Sequence, residues 1–164
     1  MKKYDIIIAI DPDVEKSGVA ELSTQNRLLD VTSLSFPELL DYLQERKRMS
    51  GTVHASLVVV VEAGWINSIS NYHTAADRKG QRIAKNVGAN HETGRKIIEM
   101  CRYYGIEVVE QPPLRKCWKG VNKKITQSEL DSLLLSRKIE VHGKRISQDC
   151  RDAVLLALYH SNIL

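Results

Sequence analysis

The chain has 164 residues, 43% hydrophobic and 27% charged, with a formal net charge of +4. Such a chain reads as one soluble globular domain over residues 1–164, able to bury about two-thirds of the surface its unfolded form exposes; this excludes a disordered or fibrous chain and one that needs disulfide staples. There is no run of 18 apolar residues and no signal peptide, which points away from a membrane, and Cys101, Cys117 and Cys150 lack C-x-x-C spacing, which suggests a reducing, cytoplasmic compartment without a zinc site.

In chain order, Tyr4–Ile10 is an apolar strand that runs into Asp11 and is stopped by Pro12. Gly18–Leu22 and Arg27–Leu34 follow, with Thr24-Gln-Asn26 as a tight turn, so the first three strands read as an antiparallel meander. Ser35-Phe-Pro-Glu38 is a capping box with proline in the first turn, and it opens a helix that Gly51 closes. Leu57–Val61 is a second unbroken apolar run, ending in Glu62 and expected parallel to the first. Ala63–Lys85 shows no period and reads as a long loop, with a helix from about Asn86 to Tyr104. Ile106–Glu110 is the third parallel strand, and the loop from Gln111 to Gly120 is basic around Trp118. Thr126–Arg137 is a helix capped by Thr126 with Glu129, Val141–Arg145 is a second basic loop, and a last helix runs from Ser147 to about Asn162. The expected fold class is α/β, a mixed five-stranded sheet with helices on both faces.

Two buried strands therefore end in carboxylates, Asp11 and Glu62. On adjacent parallel strands these lie on one rim, about 5 Å apart by strand spacing. Asp149 and Asp152, at i and i+3, add two more on one face of the last helix, where its N-terminus favours ionised carboxylates. Crowded carboxylates repel, and a hard divalent cation relieves the repulsion; oxygen-only ligands suit Mg²⁺, with Mn²⁺ able to substitute. Two such ions roughly 4 Å apart catalyse phosphodiester hydrolysis. Each acid also has a plainer reading: Asp11 as a turn residue, Asp149 as a helix N-terminal charge. Glu110 ends a strand too, but that strand is broken by Glu107, so Glu62 ranks above it. Asp13 and Glu15 read as turn residues or as groups behind the carboxylates, His160 as a core or helix-end residue, and the cysteines as small buried hydrophobes.

Ile8-Ala-Ile-Asp-Pro-Asp, with Gly18 beyond it, Val59-Val-Val-Glu62 and Asp149-Cys-Arg-Asp-Ala-Val-Leu-Leu-Ala-Leu-Tyr-His160 resemble, in order and spacing, the three signatures of RuvC-type Holliday junction resolvases. The resemblance implies an RNase H-like (retroviral-integrase-like) fold. It also implies a homodimer that nicks four-way DNA junctions symmetrically with two Mg²⁺ per active site, held by Asp11, Glu62, Asp149 and Asp152. By the family's layout, Lys116 and one of Lys119, Lys123 or Lys124 contact phosphates near the cut. Trp65 or Tyr72 stands for the aromatic residue that the family carries close behind the second-strand glutamate and wedges into the junction. The chain departs from the pattern at Asp13, where the family has glycine.

Arg78, Lys79, Arg82 and Lys85, then Arg115, Lys116, Lys119, Lys123 and Lys124, then Lys144 and Arg145, are further candidates for DNA contact, or else a solvated face. Small residues such as Gly88, Ala89 and Gly94 give the long helix a face suited to a two-fold mate. The alternatives are a relaxed nuclease that cuts branched DNA more broadly and a non-catalytic DNA-binding module on the same fold. An actin-like ATPase is disfavoured by the length and the missing glycine-rich phosphate loop.

Overall fold

A mixed sheet of six strands organises the chain, seen in a computed structural model that describes residues 3–66, 78–142 and 146–164, the side chains of residues 78 and 79 excepted. At its centre, β1 (Ile6–Asp11) pairs antiparallel with β2 (Ser17–Ser23) and parallel with β4 (Leu57–Glu62). Adding β3 (Leu28–Leu34), β5 (Glu107–Gln111) and β6 (Glu140–His142) gives the order β5-β4-β1-β2-β3-β6. Four helices complete the elements used below: α1 (Phe36–Thr52), α2 (Arg78–Tyr103), α3 (Gln127–Ser136) and α4 (Gln148–His160).

The unbroken apolar runs exist because both faces of the central strands are covered. Ile7, Ala9, Val58 and Val60 pack with Leu130 and Leu134 of α3 and with Ala153, Val154 and Leu156 of α4. The alternate residues Ile8, Ile10, Val59 and Val61 pack with Leu39 and Leu43 of α1 and Ile97 and Ile98 of α2. Residues 153–158 of α4 are all buried, so the helix is apolar all round over that stretch and its polar side chains stand at its two ends.

The expected caps are present. The Glu38 carboxylate accepts from the Ser35 N–H at 2.8 Å, and Thr126 Oγ1 accepts from the Glu129 N–H at 3.2 Å. Beyond the start of β1 at Ile6 instead of Tyr4 and the end of α1 at Thr52 instead of Gly51, three expectations need adjustment. The sheet has six strands, not five, because residues 140–142 pair parallel with β3 (Leu28 with Glu140) instead of forming part of a basic loop. Strand β5 starts one residue later than expected. Helix α2 begins at Arg78, so the stretch from Ala63 to Lys85 is not one loop; its first turns, exposed from Gln81 to Asn86, bury no apolar face and so leave no period to detect. Among the described residues no helix is long and apolar enough to cross a membrane.

Candidate active site

Pairing of Ile10 with Val61 makes Asp11 and Glu62 the next residues on two adjacent parallel strands, at the same end of the sheet. Helix α4 reaches this rim because Gly18, the partner of Asp11 in the antiparallel register, has no side chain. A Cβ there would stand 2.3 Å from the Asp149 carbonyl carbon and 2.6 Å from the Cys150 nitrogen. Ser147 caps the helix, its Oγ accepting from the Cys150 N–H at 3.2 Å, so Asp149 and Asp152 leave the first two turns toward the strand ends. The four carboxylates line one cleft of about 180 Å³ together with a fifth, Asp13, and with Arg115, Lys116 and Lys124.

Burial, then repulsion from Glu62, Asp152 and Asp149, pushes the Asp11 carboxyl well above its ordinary range, with Lys124 working against the rise. Burial and Asp152 raise Glu62 against Lys116 and Lys124. Burial likewise raises Asp149, opposed chiefly by Lys124. Burial alone would lower the Lys124 ammonium, but its hydrogen bond to Asp152 and the surrounding carboxylates outweigh this and raise it. The cleft is thus short of positive charge even with Lys124 inside it.

Lys124 Nζ donates to Asp152 Oδ2 at 2.7 Å, and Gln148 Nε2 donates to Asp152 Oδ1 at 2.9 Å. The turn that aims Lys124 is tightly built. Asn122 and Lys123 both take positive φ, 54° and 57°, and the Lys124 carbonyl accepts from the Gly120 N–H at 3.0 Å. A Cβ on Gly120 would stand 2.4 Å from that carbonyl oxygen. Of Lys119, Lys123 and Lys124, therefore, only Lys124 lines the cleft, and the other two are exposed on the turn.

Among the described residues no three His, Cys, Asp or Glu side chains stand as a ready-made cation site. The donor chemistry nonetheless fits a hard divalent ion: five carboxylates, Asp13 included, without sulfur or imidazole, three of them raised by burial and by their neighbours. Lys124 supplies the local positive charge on the Asp152 side.

The other expected residues sort by position. Asp13 does both things expected of it: it lines the same cleft and adds to the rise at Asp149, and it shapes the turn, where Oδ1 accepts from the Glu15 N–H at 2.8 Å and Oδ2 accepts from Asn90 Nδ2 at 3.1 Å, which ties the loop after Asp11 to α2. Glu110 pairs with Arg102 at 2.9 Å and lies outside the cleft. His160 Nε2 meets Gln111 Oε1 at 3.1 Å at the far end of α4. Cys101 and Cys150 are buried as expected, whereas Cys117 is exposed.

Trp65 lies in a short 3-10 turn behind Glu62 and lines an adjoining cleft of about 270 Å³ that shares Asp11, Glu62, Asn90 and Lys116. Its ring is already engaged. His91 meets it edge-on at 5.9 Å, the Arg95 guanidinium lies 5.2 Å from its centroid, and a Cβ on Gly94 would fall 2.6 Å from its Cζ3. Arg82 is exposed on the first turns of α2, away from the cleft lining. Tyr72, Lys144, Arg145 and the side chains of Arg78 and Lys79 lie outside the described residues. Sequence reasoning missed Asn90, Gln148 and Arg151. Only Gln148 left a signal, since it stands four residues before Asp152 on the same helix face.

Comparison with solved structures identifies the architecture. Thermus thermophilus RuvC in complex with a Holliday junction substrate aligns at a TM-score of 0.51 and 12% identity, over 95% of this chain and 92% of that one. A second Thermus thermophilus RuvC structure aligns at 0.48 and 14% identity, over 95% and 93%. The complex of Fowlpox virus resolvase with its substrate Holliday junction DNA aligns at 0.41 and 13%, over 96% and 97%. No family model and no curated protein matches the sequence. The fold is the RNase H-like fold of RuvC, as the sequence resemblance implied.

Proposed function

We propose that the chain is a divalent-cation-dependent endonuclease, one RNase H-like domain over residues 1–164, that acts on branched DNA and nicks four-way junctions symmetrically. One observation carries this reading: Asp11, Glu62, Asp149 and Asp152 line one cleft with Lys116 and Lys124, on the fold of a protein seen with a Holliday junction substrate. The four acids would hold two Mg²⁺, or Mn²⁺ in their place. When bound, such ions activate water and stabilise the departing oxygen in phosphodiester hydrolysis.

The chain's own contribution is positioning and charge. Strands β1 and β4, rigid in the core, fix Asp11 and Glu62, and the α4 N-terminus fixes Asp149 and Asp152. Lys116 and Lys124 attract a phosphate into a cleft whose carboxylates would otherwise repel it. The exposed Lys119, Lys123 and Arg82 extend the basic surface for DNA, and Trp65, Tyr72, Arg78, Lys79, Lys144 and Arg145 complete the proposed DNA-contact set. Two equivalent cuts need two equivalent sites, which a C₂ homodimer supplies. Such an enzyme would act in the cytoplasm.

A second reading, a nuclease with broader taste for branched DNA, is favoured by the Trp65 ring, whose contacts with Arg95 and His91 tie it into the fold. The test is incubation with a four-way junction, a flap and plain duplex, with Mg²⁺ or EDTA. Paired nicks in the junction alone, in Mg²⁺ alone, support the first reading, and comparable flap cutting supports the second. Binding without cation-dependent nicking overturns both in favour of a DNA-binding module.

A further inference from the structure

Behind Asp152 lies a connected set of polar contacts that centres on Arg151. The Arg151 guanidinium donates three ways: from Nη2 to Gln148 Oε1 at 2.8 Å, from Nε to the Ile125 carbonyl at 3.2 Å, and from Nη1 to the Ile146 carbonyl at 2.7 Å. Each recipient leads back to Asp152 or anchors its helix. Gln148 passes its amide N–H to Asp152 Oδ1. Ile125 directly follows Lys124, whose Nζ holds Oδ2. Ile146 precedes the Ser147 cap that starts α4.

We propose that Arg151 is a positioning residue for Asp152: one guanidinium sets both constraints on that carboxylate, through Gln148 on one oxygen and through the Lys124 turn on the other. This rests on the nuclease reading and deepens it. A planar, rigid fork suits the task, because its donors reach three acceptors in fixed directions that a lysine cannot reproduce. An ionised carboxylate has about four acceptor sites, so two held contacts lock its orientation and still leave sites for a cation. Groups that orient a metal-binding side chain in this way typically change metal affinity 10–100-fold when removed.

The experiment is a calorimetric titration of the full chain with Mn²⁺ alone, run on wild type, Arg151→Met, Arg151→Lys, Gln148→Leu and the Arg151→Met/Gln148→Leu double variant. Thermal unfolding in EDTA is measured alongside. The expected result is Mn²⁺ binding weakened about tenfold or more in each single variant, no rescue by Arg151→Lys, and a double variant no weaker than Arg151→Met. Should Arg151→Met fail to fold, Gln148→Leu, which removes one partly exposed amide, must still weaken Mn²⁺ binding. Wild-type Mn²⁺ binding in Gln148→Leu, full rescue by lysine, or fully additive losses in the double variant would overturn the relay. Failure of the nuclease reading looks different: wild type then nicks no branched DNA, while coupling between the two substitutions persists in the EDTA melts.

Discussion

Gly18 and Asp149 touch backbone to backbone, and that contact brings helix α4 to the ends of β1 and β4. A Cβ at Gly18 would lie 2.4 Å from the Asp149 carbonyl oxygen, and main chain cannot rotate out of the way. Gly18→Ala must therefore push the first turn of α4, and with it Asp149 and Asp152, off the strand ends. A displacement near 1 Å can cost about 100-fold in rate. The expected outcome is a loss of that order in junction nicking with a lowered Tm. Gly51→Ala is the control: nothing lies within 4 Å of its Cβ and it sits in α1, so it should raise stability by about 0.4–1 kcal/mol and leave nicking unchanged.

The crowded carboxylates set stability against function. Asp11 is raised well above its ordinary 3.8, mainly by burial, and Glu62 and Asp149 are raised for the same reason. A carboxyl whose folded pKa exceeds its unfolded one contributes stability that is fully present below the unfolded pKa and is lost as pH rises through the folded one. Metal-free protein should therefore lose stability from about pH 4 toward neutrality. Asp11→Asn should abolish nicking, retain junction binding, and raise the metal-free Tm at pH 7 by about 2–4 °C per kcal/mol of relieved strain. Mg²⁺ at 100-fold over its Kd should restore about 2.7 kcal/mol to wild type and less to the variant. Calorimetry at pH 5 and 7, with Mg²⁺ or EDTA, measures each term. A variant that melts below wild type in EDTA at pH 7 would contradict the repulsion argument.

How far the site could be read from the chain depended on the physics of each residue. Asp11 and Glu62 were legible because strands covered on both faces leave unbroken apolar runs, and a carboxylate that ends such a run has few places to go. Asp152 was legible for a similar reason, since the fully buried Ala153–Leu158 stretch begins beside it. The choice of Lys124 over Lys119 and Lys123 was not legible, because it depends on two consecutive positive-φ residues, of which Asn122 favours that region but Lys123 does not. Nor was β6, whose three residues, Glu-Val-His, are too few for their alternation to stand out. The place of Asp13 in the cleft lining was not legible either, because it is held by Asn90, a partner 77 positions away.

The lysines should divide by role. Lys124 and Lys116 line the cleft, whereas Lys123 is exposed on the neighbouring turn. Lys123→Ala should weaken junction binding in a salt-dependent way, flattening the log–log salt slope by about 0.9, with little change in the nicking rate at saturating DNA. Lys124→Met also removes the counter-charge from Asp152, so it should lower both nicking and stability. Single-turnover nicking and binding measured from 50 to 200 mM salt separate the two. Equal loss of saturated rate in both variants would refute the division.

Trp65 offers the sharpest choice between the junction-selective and relaxed readings. Its ring is wedged over Gly94 beside Pro12, which directly follows Asp11, so its packing energy is spent within the fold. For a partly buried indole, Trp65→Ala should cost roughly 2–4 kcal/mol, toward the low end of what core tryptophans lose, and lower Tm by several degrees. Trp65→Phe should recover most of that loss. Junction binding in EDTA should fall less than tenfold, because the ring is held within the fold by Gly94, His91 and Arg95. A wedge residue would behave in the opposite way: Tm nearly unchanged, and discrimination between junction and duplex collapsing in Trp65→Ala. Melting curves and a junction-to-duplex binding ratio on the same two variants decide between the outcomes.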